Sequence, residues 1–251
     1  MTIFTCNDGY EDMMTCIYDA WSARLGHNQI RLKAEPIGNL ELFCEYRHIE
    51  KDPEKTAKVI RSIQKKISWE AYQMVYRCAM SSHPNKLDAI YRFLILGFAY
   101  GSSVTHMLKE TAVITVFEIN RRVANEAHLS IEFMRFSNTK ENILVSHIEP
   151  KSNVLTLVAP YFSDRMPSEN WMIVDDARSM AIVHPSDENY YLTPLTEKET
   201  LYLNTQTDTE DSYAGLWKEF FKTIGIEARK NYKCQRTMLP LWHRKNMTEF
   251  R

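Results

Sequence analysis

Between Phe117 and Pro185 the chain gathers Glu126, His128, Arg135, Asp164, Arg165, Trp171, Asp175 and Arg178, residue types able to move protons, hold anions or stack on rings. Histidine is the side-chain type best suited to acid/base work and Asp175 supplies a carboxylate, so His128 and Asp175 are the candidates for it. Glu126 and His128 lie two residues apart and diverge by about 200° on a helix, so one of them is expected to serve structure. Glu126 is also four residues from Arg122, the spacing of a solvated helix-face pair. Guanidinium groups suit phosphate through paired, charge-assisted hydrogen bonds, which makes Arg135, Arg165 and Arg178 candidate anion ligands and Trp171 a candidate stacking surface. Asp164, Asp175 and Asp176 offer an alternative Mg²⁺ set, but no acidic spacing here identifies a metal site and none is assigned.

These residues need elements to position them. Apolar residues at Phe117, Val123, Ala124, Ala127 and Ile131 predict a helix to about Glu132, and Phe133 to Ile148 predicts two strands around the turn at Asn138 to Asn142. Arg135 then lies on a strand, pointing away from Met134 and Phe136. Val154 to Asp164 predicts a shorter helix, whose end Arg165 would complement electrostatically. Trp171 to Val174 and Ser179 to Val183 predict a hairpin around Asp175–Asp176–Ala177–Arg178. Two helix-hairpin units sharing one antiparallel sheet would bring Arg135, Arg165, Arg178 and His128 together with Asp175.

Upstream, Thr2 to Cys6 predicts a strand, Asn7–Asp8–Gly9 a turn and Tyr10 to Arg24 a helix. Leu40 to Ile49 predicts a strand paired with the first. Asp52–Pro53 starts a helix carrying Val59, Ile60 and Ile63; Ser68 opens another through Met80, and Asn85 to Tyr100 a third. The expected class is α+β: a mainly helical N-terminal lobe with a small β element over residues 1–104, then an antiparallel-sheet lobe with C-terminal helices and a basic tail over 105–251.

The 251 residues, 44% hydrophobic and 25% charged, fall in the ordinary globular range. Five cysteines (Cys6, Cys16, Cys44, Cys78 and Cys234) are dispersed without a Cys-x-x-Cys and read as reduced thiols. The apolar run RFLILGFAYG is too short to cross a bilayer, and the N-terminus carries no leader pattern, so a cytoplasmic protein with no membrane partner is expected. Seven glycines form neither a dinucleotide fingerprint nor a P-loop and His-Glu-x-x-His is absent, which removes the commoner nucleotide-binding and zinc-hydrolase readings and leaves the cofactor unknown.

Net charge is −1, but it hides opposed segments. Residues 197–211 carry a local −4 and residues 213–251 a local +6; Asn189 to Asp211 is polar and Thr-rich, and its Thr205–Gln206–Thr207–Asp208–Thr209 core is expected to be an exposed loop. In that basic segment Arg229, Lys230, Lys233, Arg236, Arg244 and Lys245 alternate with Tyr232 and Trp242, a pattern suited to phosphate attraction and base stacking. A solvated basic face balancing the acidic stretch is the competing account. Leu216, Trp217, Phe220, Phe221 and Ile224 predict a helix capped by Ser212, and Met238 to Trp242 predict that the tail docks on the body.

The run Arg122–Val123, Glu126–Ala127–His128, Phe133, Arg135–Phe136, Ile148–Glu149–Pro150, Phe162, Arg165 and Trp171-x-Ile173-x-Asp175-x-x-Arg178 resembles an uncharacterised bacterial family described as DNA metabolism proteins. Leu216–Trp217–Lys218, Arg229-x-Asn231, Met238-x-Pro240 and Met247–Thr248–Glu249–Phe250 extend the resemblance. The resemblance implies a setting in DNA repair or base metabolism and a radical-SAM partner, and in some chains fusion to a uracil-DNA-glycosylase-like domain. Glu132, Leu129 and Tyr161 depart from its pattern. The function expected is an accessory protein binding DNA or a nucleotide; the alternatives are an acid/base or metal-assisted hydrolase acting on nucleic acid, and a protein-docking scaffold.

Overall fold

A computed structural model of the chain describes residues 1–139, 141–206 and 212–250. Contacts divide it into two units, Met1–Asn125 and Glu126–Arg251.

In the first unit β1 (Thr2–Cys6) leads through α1 (Tyr10–Ser22) and a short 3-10 turn to β2 (Ile30–Ala34), and β3 (Glu45–His48) follows. Both outer strands pair parallel to β1, in the order β2-β1-β3. The pairing of the segment near residue 45 with the first strand was expected; β2 was not. α2 (Pro53–Lys66) starts as its sequence dictates, with the Asp52 side chain accepting from the Glu54 and Lys55 amides and Pro53 in the first turn. α3 (Trp69–Met80) is capped by Ser68, which accepts from the Ala71 amide. α4 (Lys86–Tyr100) is buried along Leu87, Ile90, Tyr91, Phe93 and Leu94. It passes so close to Ile67 that a Cβ on Gly97 would stand 2.6 Å from the Ile67 Cδ1 atom, and Gly101 ends it at φ 62°.

α5 (Thr111–Phe133) begins earlier than Phe117 and explains where the units divide. Val113, Val116 and Ile119 belong to the first core, whereas Ala127 and Ile131 belong to the second. The division therefore falls inside a continuous helix.

The second unit is built on β4 (Ser137–Asn138), β5 (Leu144–Ile148), α6 (Leu155–Arg165), β6 (Trp171–Asp175), β7 (Met180–His184) and β8 (Tyr191–Pro194). The sheet order is β4-β5-β6-β7-β8. The class is α+β, but the sheet is mixed: β5 and β6 pair in parallel, from Leu144 beside Trp171 to Ile148 beside Asp175, and the other pairs are antiparallel. α6 is the crossover that a parallel pair requires. One face carries Trp171, Ile173 and Ile182 under α6; the other carries Val145, Val174 and Ala181 with Leu195 and Leu203. Arg135 lies in the connection between α5 and β4, not on a strand.

α7 (Glu197–Gln206) occupies much of the polar Asn189 to Asp211 stretch and takes in Thr205 and Gln206, the start of the core expected to be a loop. Its start is a Thr-x-x-Glu capping box: Thr196 Oγ1 accepts from the Glu199 amide at 3.3 Å, while the Glu199 carboxylate accepts from the Thr196 amide at 2.8 Å. The remainder of that stretch, 207–211, lies outside the described residues. α8 (Ser212–Thr223), α9 (Tyr232–Met238) and α10 (Leu241–Arg244) complete the chain. The tail docks through Leu239 and Met247, both buried, while Met238 and Leu241 stay exposed.

Candidate functional site

The arginines that could have converged are distributed by the second unit among separate partners. Arg178 closes the β6–β7 turn: it donates to Asp175 Oδ2 at 2.9 Å and to the carbonyls of Pro150 (3.0 Å) and Lys151. Asp175 is fully enclosed and also accepts from the Ala177 amide at 3.1 Å. Burial raises its carboxyl above the usual range, against the lowering effect of Arg178.

Arg135 is committed elsewhere. Its guanidinium donates to Glu249 at 2.8 Å and lies 5.7 Å from the centre of the Trp217 ring, whose indole N–H donates to the other Glu249 oxygen at 3.2 Å. Burial alone would raise the Glu249 carboxyl; the bonds from Arg135 and Trp217 reverse this and hold it below the usual range. Neither arginine therefore presents a vacant fork to a phosphate.

His128 stands on the surface of α5, its side chain 70% exposed and 3.0 Å from Glu132 one turn on. Glu126 takes the structural role expected of one of that pair, accepting from the Lys151 and Ser152 amides at 2.6 and 3.0 Å. Trp171 is buried and stacks at 4.7 Å and 4° on His184, so it is closed to any base; strand alternation turns its ring toward α6. Arg165 is exposed at the end of α6, apart from these pairs.

The C-terminal bases sort in the same way. Lys245 pairs with Glu149 and Lys230 with Glu227; Arg244 donates to the Leu239 carbonyl at 3.3 Å and lies 4.8 Å from the centre of the Phe250 ring. Arg229, Lys233 and Arg236 are exposed, and among the described residues none of them has an ion pair. Arg229, Lys230, Asn231, Tyr232, Cys234 and Gln235 line an open concavity of about 350 Å³. Tyr232 presents its ring beside it, 67% exposed. Backbone positions this group: the Asn231 side chain accepts from the Cys234 amide at 3.0 Å and caps α9.

A second polar group was not foreseen. The Nδ1 atom of His147, near the end of β5, lies 3.0 and 3.2 Å from the two carboxylate oxygens of Asp176, just beyond the end of β6. A lone histidine in an apolar run gave no signal of this; only the parallel pairing of β5 with β6 brings the two together. Among the described residues, no group of three or more His, Cys, Asp and Glu side chains could hold a metal ion.

Residues 84–249 match the family described as a domain of unknown function, DUF4130. The chain belongs to this family. No curated protein matches it. The DUF4130 match covers α4 onward and includes every candidate residue above, but it leaves β1 to β3 of the first unit outside. No helix among the described residues is long and apolar enough to cross a membrane.

Proposed function

We propose that this DUF4130 protein binds single-stranded nucleic acid through its C-terminal basic segment, as an accessory in DNA metabolism. The observation that supports the reading is the sorting of cations: among the described residues Arg229, Lys233 and Arg236 remain exposed without ion pairs, in the segment whose Arg229, Lys230 and Tyr232 line an open concavity. Guanidinium and ammonium groups there can release counterions from phosphates, and the tyrosine ring can take a base on its face. Fluorescence anisotropy of a labelled oligonucleotide across a salt series tests it. Three phosphate contacts give a slope of log affinity against log salt of about −2. The triple variant Arg229→Glu, Lys233→Glu, Arg236→Glu is expected to lose at least ~10-fold in affinity and most of that slope. Absence of binding at low salt ends the reading.

A partner protein is favoured by a different feature. Leu216 and Phe220 on α8 and Ile224 just past its end recur every four residues and are 66%, 52% and 56% exposed, an apolar row of the kind that protein partners cover. The radical-SAM partner implied by the resemblance would dock there. Co-purification with that partner should be lost in Phe220→Asp while oligonucleotide binding persists.

A further inference from the structure

The sheet of the first unit has two outer edges, and only one of them is covered. Along β2 the Leu32 amide donates to Asp88 at 3.2 Å and the Ile30 carbonyl accepts from Arg92, so two α4 side chains stand where a neighbouring strand would. β3 has no such cover. The Glu45 amide donates to the Met1 carbonyl and the Ile49 amide to the Thr5 carbonyl, which turns the odd-numbered residues toward β1. Backbone groups alternate along a strand, so the N–H and C=O of Tyr46 and His48 point outward, where no described strand meets them.

Edge strands usually carry charge that keeps other chains away, and β3 carries Glu45 and Arg47. Their order makes the edge complementary to itself. When two copies of β3 pair antiparallel about Tyr46, the Tyr46 backbones exchange two hydrogen bonds and Glu45 of each copy stands opposite Arg47 of the other. Moving the centre by one residue opposes Glu45 to Glu45 or Arg47 to Arg47, which like charge disfavours. Of these three registers only the one centred on Tyr46 joins opposite charges.

The residues before β3 add apolar surface. Leu40, Leu42 and Phe43 are exposed, Phe43 at 99%, and Phe43 is held at φ 60°, a region that bulky side chains rarely enter. A ring in water returns nothing to the monomer for that conformation. Pairing about Tyr46 brings Phe43 of one copy to the end of the strand of the other, at Ile49, and so gives the apolar residues something to cover.

We propose that β3 is a self-association edge, through which two copies of this chain join their three-stranded sheets into one sheet, antiparallel about Tyr46. This stands apart from the nucleic-acid reading, since β3 lies in the first unit and no residue of the 229–236 segment takes part.

Sedimentation velocity of the full chain over a concentration series tests it. Wild type should show a dimer that grows with concentration, and Arg47→Glu and Glu45→Arg should each raise its dissociation constant at least ~10-fold by setting like charges opposite. An equimolar mixture of the two variants should regain association, because each then meets opposite charge. Should a variant fail to fold, hydrogen exchange of the wild type decides: protection of the Tyr46 amide should rise with protein concentration. A wild type monomeric up to its solubility limit, a dimer that neither reversal weakens, a mixture that stays apart, or Tyr46 exchange independent of concentration overturns the proposal. A dimer lost in Phe220→Asp instead places self-association on α8 and overturns it as well.

Discussion

The sheet of the second unit and its C-terminal segment use the same residue types to opposite ends. In the sheet, charge is turned inward: Asp175 meets Arg178, His147 meets Asp176, and the Glu126 carboxylate caps the amides after β5. In the 229–236 segment three cations face water, and among the described residues only Lys230 has a carboxylate partner. Density of ionisable residues therefore marks where the fold needs electrostatic closure, whereas unpaired charge marks what the molecule offers to others. The difference rests on burial: an enclosed carboxylate demands its counter-ion, and an exposed lysine gains little from one.

The strongest way to break this comparison is to remove a partner inside. Arg178→Ala leaves the Asp175 carboxylate enclosed without its guanidinium and releases the Pro150 and Lys151 carbonyls. Urea denaturation should show a loss of about 3–5 kcal/mol, the usual cost of breaking a buried pair by half. If stability holds while oligonucleotide affinity falls, Arg178 is a ligand residue and the sorting is wrong. Arg135→Ala should cost less, about 2 kcal/mol, because the pair anchors only the tail, although it leaves the Glu249 side chain, 2% exposed, without its cation. Protease cleavage after residue 230 should rise before global melting shifts.

Acidification tests the docked tail without mutation. Burial lowers the His243 pKa below its ordinary 6.5, against a raising influence from Glu126. In an undocked tail the imidazole takes up a proton near pH 6.5, whereas in the docked one it resists until lower pH. Docking is therefore fully stabilised above about 6.5 and weakens as pH falls through that value, by at most ~1.4 kcal/mol per pH unit between the two pKa values. Trp242 stacks on His243 at 3.7 Å, so its fluorescence reports the release between pH 8 and 5. The transition should vanish in His243→Gln.

Local signals in the sequence gave many of the elements and few of the contacts. Asp52–Pro53 and Ser68 start helices where capping chemistry places them, and the periodicity of Leu155 to Arg165 and of the β6–β7 hairpin is short-range information. The Thr196–Glu199 capping box was equally local but was obscured by the polar composition around it. Partners distant in sequence were not legible. Arg135 and Glu249 are 114 residues apart, and His147 meets Asp176 only because β5 and β6 run parallel. Arginine and carboxylate counts say nothing about which pairs form, so the expected convergence on Asp175 could not be distinguished from separate bridges.

The smallest expected effect sharpens the comparison from the other side. His128 carries the residue type best suited to acid/base chemistry in the stretch from Phe117 to Pro185, yet its ring is largely in solvent and its partner Glu132 is 46% exposed. An exposed pair of this spacing on a helix contributes about 0.3–0.5 kcal/mol, because water screens the charges and two side chains lose freedom to hold one geometry. His128→Ala should therefore change stability by no more than about 0.5 kcal/mol and leave the salt dependence of oligonucleotide binding as it is. A loss of binding tenfold or greater would show that a solvent-facing histidine on α5 belongs to the interface, and would extend that interface from the 229–236 segment to the helix.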